Sequence, residues 1–366
     1  MKEKVLFILH LPPPIHGASM MGKYIKESNK INEKFDCTYI NLSTAKDLAD
    51  IGKFGIKKII HFINLLILIY KQIKKKKPDL VYITPNAKGG PFYKDFVVIQ
   101  LIKALKCKIV VHYHNKGVST RQDKIIDNFL YNLFFKNMKV ILLSETLYQD
   151  ISKYVDRSNV FICPNGIPLT AKQESVKEND KPQLLYLSNL QKEKGIIDVL
   201  DACSILKAKG YDFICNVIGG ETDEISTTSL INEINVRNLT DKVQYLGKKY
   251  GKEKEDFYQK TDIFVFPTYY HNECFPVVLL EAMQYGCVCI STDEGSITDI
   301  IDNKKNGYIV EKKNPSMLAS TIEKLMNDPN LTLEISKAGK DKFTANFSLD
   351  KYEQNIHAIL EKLSKE

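Results

Sequence analysis

The chain has 366 residues, 44% of them hydrophobic and 26% charged, with a formal net charge of +8. That length exceeds one ordinary core and suits two domains of about 150–180 residues each, and the composition excludes a disordered or fibrous protein. The positive balance comes largely from lysine and has no nucleic-acid-binding pattern beside it, so partners of that class are not expected, whereas an anionic substrate or membrane surface fits it.

Eight cysteines, at 37, 107, 163, 203, 215, 274, 287 and 289, stand mostly in apolar runs with no C-x-x-C spacing. They read as reduced, buried thiols of a cytoplasmic protein, not as disulfides or zinc ligands. The start, Met1-Lys2-Glu3-Lys4, leads into the apolar run 5–11 and then Pro12-Pro13-Pro14. With no cleavage site, this is a first core strand and not a signal peptide. Gly17 and Ala18 open the helix that follows, where small residues let backbone N–H groups approach an anion.

Further strands are expected at 37–42, 80–84, 109–114, 140–144 and 160–163, with helices between them, among others over 93–105 and 123–135. Runs apolar on both faces that alternate with helices predict a parallel sheet covered on both sides. The stretch from Ile59 to Ile73 is the most apolar helix, interrupted by His61, Asn64 and Lys71 and too short to span a bilayer. Lys74-Lys75-Lys76-Lys77 follows it directly. Two readings stand here: a surface helix with a solvated tail, and a helix lying on an anionic membrane. His112 and His114 form an H-x-H pair with no third ligand near in sequence, which argues against a metal site. His114, leaving a strand beside Gly117, suits a neutral imidazole that bonds a sugar hydroxyl or a moving proton; a packed or surface histidine is the other reading.

Pro164-Asn165-Gly166-Ile167-Pro168 breaks the cycle, and the polar segment 172–181 reads as a linker. Domains are therefore placed at 1–168 and 169–349, with a last helix over about 350–366 packing back onto the first. Strands of the second domain are expected at 184–188, 214–219, 243–247, 263–268, 288–292 and 308–310. No G-x-G-x-x-G follows a strand, no P-loop lysine motif is present, and no D-x-D pair is available for a metal-held sugar diphosphate. After the first of these strands, Ser188-Asn189-Leu190-Gln191-Lys192-Glu193-Lys194-Gly195 puts a lysine beside a glycine at a helix start, which suits a phosphate. A solvated lysine is the alternative.

The stretch from His271 to Gly286 reads as polar loop and short helix between two strands, with Pro276 at the first helical position and Gly286 just past the end. Glu281 lies among apolar neighbours, where an ionised carboxylate needs hydrogen-bond donors. It is either a satisfied structural acid or a ligand-binding acid below a helix N-terminus. At 1.5 Å per residue it stands roughly 7–8 Å from Pro276 along the axis. A diphosphate at the helix end would thus place one sugar near Glu273 and another near Glu281.

Glu273 and Glu281, with seven residues between them in the setting Glu-Cys-Phe-Pro-Val-Val-Leu-Leu-Glu-Ala-Met-Gln-Tyr-Gly, resemble the E-x7-E motif of retaining glycosyltransferases of family 4. The Gly17 loop, His114, Pro164-Asn165-Gly166, Lys194-Gly195, Gly219-Gly220 and Asp299 with Asn306-Gly307 stand in matching order. The resemblance spans the whole chain. It implies an α/β GT-B fold, two Rossmann-like domains with parallel sheets facing a central cleft. It also implies a metal-independent hexosyltransferase without a cofactor.

In that family's terms Glu273 contacts the donor sugar, helped by backbone around Cys274, Phe275, Pro276, Val277 and Val278. Glu281 holds the ribose. Lys194 neutralises the leaving diphosphate, with Asn189 and Gly219 in the same donor site. Gly17 packs against the diphosphate from the first domain, and His114 lines the acceptor side. Three positions depart from the pattern. Asn189 stands where arginine is common, Pro276 removes an N–H from the donor loop, and Cys274 is uninformative about the donor. The implied reaction moves a sugar from a nucleotide-sugar, a UDP-sugar, to a hydroxyl of a growing cell-surface glycan, and the apolar helix with Lys74–Lys77 points to a lipid-linked acceptor at the membrane. The enzyme would be cytoplasmic and peripheral on the inner face of the plasma membrane, touching it through the Ile59 to Lys77 region. A non-catalytic sugar-nucleotide-binding subunit and a GT-B nucleotide-sugar epimerase are the alternatives.

Overall fold

The computed structural model describes residues 2–13, 16–43, 56–170 and 179–366. Pro14 and Ile15 of the first glycine loop, and residues 172–178 of the expected linker, lie outside the described residues. The chain divides into two compact units, Met1–Gly166 with Leu349–Glu366, and Ile167–Ser348.

In the first unit β1 (Lys4–Leu9) leads through α1 (Gly17–Glu27) and α2 (Asn29–Lys34) to β2 (Asp36–Asn41). The cycle continues as α3 (Ile56–Lys76), β3 (Leu80–Ile83), α4 (Gly89–Ala104), β4 (Ile109–His112), α5 (Ile125–Phe135), β5 (Lys139–Leu142) and β6 (Val160–Ile162). The strands form one parallel sheet in the order β2-β1-β3-β4-β5-β6, with Val5 opposite both Cys37 and Leu80. β3 and β4 are buried along their whole length, as strands covered on both faces must be.

The sheet and α4–α5 share a core in which Phe92 meets Tyr131 at 4.6 Å and Phe134 at 5.5 Å. Apolar runs overshoot the strands by one or two residues. β4 stops at His112, so His114 is not in the strand. Tyr113 still donates to the Ile141 carbonyl at 3.0 Å. The chain then turns into a loop anchored by Asn115 Oδ1, which accepts the Ala87 N–H at 2.7 Å.

α3 is also longer than its apolar stretch. Lys74, Lys75 and Lys76 form its last turn and do not trail behind it, because lysine is a good helix former and favours the C-terminal end of the dipole. Lys77, at φ +49°, ends it ahead of Pro78. Among the described residues no helix is long and apolar enough to cross a membrane.

The second unit runs β7 (Gln183–Leu187), α6 (Ile196–Ala208), β8 (Ile214–Ile218), α7 (Thr227–Val236), β9 (Val243–Tyr245) and α8 (Gly251–Lys260). It continues with β10 (Ile263–Phe266), α9 (Val277–Gln284), β11 (Val288–Ser291), α10 (Ile297–Ile300), β12 (Gly307–Ile309), α11 (Pro315–Asn327) and α12 (Pro329–Asn346). Its parallel sheet has the order β12-β11-β10-β7-β8-β9, so the winding reverses between β7 and β10. In such sheets ligands gather beyond the strand ends at that reversal. α13 (Leu349–Lys365) returns to the first unit, where it packs on α2 and β3 and buries Tyr352, Ile356 and Leu360. All eight cysteines are free thiols, six of them buried.

Candidate functional site

Most of the sequence-predicted residues gather at the winding reversal of the second unit. β7 runs into Ser188 and exposed Asn189, and a tight turn over Lys192–Lys194 ends in Gly195, the N-cap of α6. Gly195 has φ +84°, and a Cβ there would stand 2.4 Å from the Pro267 carbonyl oxygen. Glycine is therefore required twice over, by conformation and by the approach of the loop after β10. That loop is tied to the same turn: the Glu193 carbonyl accepts from Tyr269 N–H at 2.7 Å and from the Thr268 hydroxyl at 3.3 Å.

Lys194 and Glu273 meet within this frame. Lys194 Nζ donates to Glu273 Oε2 at 2.5 Å, with side chains only 14% and 11% exposed. The ammonium lies 4.3 Å above the Tyr270 ring, a cation–π contact that helps fix its position. Glu273 N–H donates to the Tyr270 carbonyl at 2.7 Å. Gly295, at φ +58°, lies so close that a Cβ would be 2.4 Å from the Glu273 carbonyl oxygen. Ser296 N–H donates to the Cys274 carbonyl at 2.9 Å. The acid is thus held by its own backbone as well as by Lys194.

Gly219 borders the same floor. A Cβ on it would fall 1.7 Å from the Ser188 carbonyl oxygen, so the ends of β7 and β8 close together only around a glycine. Cys274, Phe275 and Pro276 are buried, with Phe275 edge-on to Phe347 at 5.9 Å. Pro276 is the N-cap of α9, at φ −71° and ψ 109°, and not its first helical residue as its fixed φ suggested; the extended ψ is what separates the two. Val277 and Val278 therefore form the first turn, whose N–H groups have no acceptor inside the helix.

Glu281 is not stranded among apolar side chains. Lys254 Nζ donates to its Oε1 at 2.7 Å and the Tyr258 hydroxyl to its Oε2 at 3.0 Å. Burial, reinforced by the Glu281 charge, raises the Tyr258 pKa well above its usual value, so this hydroxyl stays a donor. Sequence reading overlooked both partners. The signal was their spacing of four on α8, which sets two side chains on one helix face.

Gly17 and His114 belong to the first unit. Gly17 is the first residue of α1, and nothing lies within 4 Å of where its Cβ would be. The N-cap is His16, whose Nδ1 accepts the Ser19 N–H at 3.3 Å. The His114 and His112 rings lie 4.3 Å apart, tilted by 38°, and His112 Nδ1 lies 2.5 Å from the Tyr82 hydroxyl. Both ring nitrogens of His114 are shut off from solvent without a hydrogen-bond partner among the described residues, as is Asn165 Oδ1.

Burial pushes His114 down to about 3. His10 falls to about 3 as well, through burial and then the charge of Lys94. Both are neutral in the folded protein near pH 7, so His114 can accept or donate one hydrogen bond but is no proton donor of imidazolium type. Among the described residues no group of three or more His, Cys, Asp or Glu is placed to hold a metal ion.

These shifts have a measurable consequence. The unfolded chain takes up protons on both histidines below about pH 6.5, while the folded chain resists uptake down to about 3, so stability falls with pH in that window. The slope is about 1.4 kcal/mol per pH unit for each histidine. Melting temperature is expected to be flat above about pH 7 and to drop as pH falls from about 6.5. His114→Asn should make that drop shallower; an acid slope identical in His10→Asn, His114→Asn and the native chain would contradict the assignment.

Comparison with known proteins bears on the same regions. The family model described as glycosyl transferases group 1 matches residues 169–342. The capsular polysaccharide biosynthesis glycosyltransferase CapM of Staphylococcus aureus is 32% identical over 170 residues, which cover 46% of this chain and 43% of that protein. The chain therefore spans less than half the length of this relative. Among solved structures, a glycosyltransferase of Rickettsia africae matches 99% of this chain and 98% of its own, with TM-score 0.74 and 19% identity. Anabaena Alr3699/HepE, solved with UDP, matches 98% and 100% with TM-score 0.76 and 16% identity. At such identities the likeness establishes the fold alone, the expected α/β GT-B architecture of two Rossmann-like units. Residues 169–342, nearly the whole of the second unit, therefore carry the likeness to the glycosyl transferases group 1 family.

Proposed function

We propose that the chain is a retaining glycosyltransferase that moves a sugar from a UDP-sugar to a hydroxyl of a growing, lipid-linked cell-surface glycan, without a metal. The observation that carries this reading is the Lys194–Glu273 pair, held at the winding reversal between β7 and β10. A diphosphate leaving group develops negative charge as its bond to the anomeric carbon breaks. Lys194 supplies the compensating cation that a bound metal would otherwise provide, and the first turns of α6 and α9 add oriented N–H groups. Glu273 accepts hydrogen bonds from the transferring sugar, and Glu281 from the ribose, with Lys254 and Tyr258 fixing its carboxylate. The acceptor hydroxyl oxygen bonds to the anomeric carbon on the face the phosphate leaves, as the carbon–phosphate oxygen bond breaks, and the hydroxyl proton passes to the departing diphosphate. In the first unit His114, neutral, offers a hydrogen bond to an acceptor hydroxyl, and Gly17 opens α1, where backbone N–H groups suit an anion.

Support for the donor comes from the UDP bound by the Anabaena protein, and support for a surface glycan from the capsular role in the Staphylococcus aureus relative's name. Such an enzyme works in the cytoplasm, peripheral on the inner face of the plasma membrane.

A panel of nucleotide-sugars tests the reading by mass action. A UDP-sugar at about a hundredfold its Kd is expected to raise the melting temperature by roughly 5 °C, ahead of its GDP and ADP counterparts. Slow release of UDP without an acceptor should accompany it. Conversion of the donor into an isomer would point to an epimerase instead, and binding without any turnover to a non-catalytic subunit.

A further inference from the structure

The largest exposed apolar side chains of the first unit concentrate on one helical layer. α3 packs alongside α4, and α4 alongside α5. Among the described side chains of α3 only Leu65, Ile69 and Ile73, each four residues on from the last, are buried, while Ile59, Ile60, Ile63 and Ile67 face outward, each near half-exposed. α4 adds Tyr93 and Val97. α5 is the most exposed of the three, with Ile125 at 88%, Ile126 at 70% and Phe129 at 62%. A folded protein seldom leaves so large a contiguous apolar surface to water.

The charge on this layer is one-sided. α3 has six lysines and no acid among its 21 residues. α4 and α5 have one acid each, Asp95 and Asp127, and both are buried. Asp95 Oδ2 accepts from Asn86 N–H at 2.8 Å, and Asp127 is held by Arg121 at 2.8 Å and by the Tyr93 hydroxyl at 2.6 Å. At the C-terminal end of α3 a cavity of about 380 Å³ is lined by Lys74, Lys77, Lys106 and Lys108. Its one acid, Asp79, accepts the Lys4 N–H at 2.8 Å. The three helices therefore present isoleucine, phenylalanine and lysine to the outside, and no exposed carboxylate. A protein partner is matched by a rim of both signs; aliphatic side chains among unopposed lysines match an anionic lipid surface.

We propose that α3, α4 and α5 together are a docking surface for an anionic phospholipid bilayer. The N-terminal turns of α5 enter the acyl boundary, and the lysines at the end of α3 meet the headgroup phosphates. The surface reaches the strand edge that carries the acceptor-side residues: α5 starts beyond the C-terminal end of β4, where His112 and His114 lie. In purpose, though not in geometry, this rests on the lipid-linked acceptor proposed above.

Sedimentation of the full chain with vesicles tests it. The native protein is expected to pellet with vesicles of phosphatidylcholine mixed with phosphatidylglycerol and to stay in solution with phosphatidylcholine alone. Ile126→Glu with Phe129→Glu should lower the bound fraction about tenfold or more. Replacing Lys74, Lys75 and Lys76 by Gln should weaken binding roughly a hundredfold. Ile126, Phe129, Lys74 and Lys75 are exposed and Lys76 is half-buried, so an unaltered melting temperature confirms that each variant is folded. An α5 variant that pellets like the native protein overturns the three-helix surface. So does a native protein that ignores both vesicles and forms a dimer which that variant abolishes, since a second copy would then cover the layer. Stabilisation by UDP-sugars is read on the same samples without vesicles. Vesicle binding lost while that response persists overturns the docking surface alone, and the reverse overturns the glycosyltransferase reading alone.

Discussion

Lys194→Ala lowers kcat by about a hundred- to a thousandfold while donor affinity changes by less than about tenfold; that is the first expected result. The charge on the leaving diphosphate grows as the glycosidic bond to phosphate breaks. A cation already in place is therefore worth more in the transition state than in the ground state. The structure pre-positions it: Nζ is 2.5 Å from Glu273 Oε2 and 4.3 Å above the Tyr270 ring. Asn189, exposed at the end of β7, is an uncharged amide, and the loop's other lysine, Lys192, is exposed to solvent. Some stability is lost too, about 1–3 kcal/mol, as Glu273 is left without its cation at 11% exposure. Rates are accordingly compared on the folded fraction, well below the melting temperature. Equal turnover in Lys194→Ala and native protein would remove Lys194 from the mechanism.

Glu281→Gln has the opposite signature. It is expected to weaken donor binding about ten- to a hundredfold, equivalent to roughly 1.4–2.8 kcal/mol, with kcat changed far less. The amide keeps the shape but accepts with one oxygen only, so it cannot satisfy Lys254 at 2.7 Å and the Tyr258 hydroxyl at 3.0 Å together. Tyr258→Phe removes only one of those donors and should show a smaller loss in the same direction. UDP titration by calorimetry separates the two variants from Lys194→Ala. An unchanged Kd in Glu281→Gln would mean that Lys254, Tyr258 and Glu281 form a structural cluster with no part in holding the ribose.

The central strands were legible because a strand sealed on both faces must be apolar at consecutive positions, which local composition records directly. Their ends were less so. His114 looked like the last residue of a strand, yet the Asn115 anchor to Ala87, between residues 28 apart, draws it into a loop. Pro276 looked like the first residue of a helix, yet its ψ of 109° makes it the cap. For His114 the deciding contact came from elsewhere in the chain.

By itself the sequence determined the alternation of strand and helix, the parallel sheets, the glycine at each tight approach and the pair of acids with seven residues between them. Those features depend on neighbours in the chain, or on side-chain volumes that any sealed sheet imposes. Tertiary structure alone decided that Lys194 reaches Glu273 across 79 residues and that Lys254 and Tyr258 supply the donors Glu281 needs. It alone also set the apolar faces of α3, α4 and α5 in one layer. Each of these follows from strand order and helix packing, which are fixed by contacts between distant segments that local sequence patterns do not record. The stretch from Glu273 to Glu281 therefore named its acids in sequence, and the fold assigned their partners.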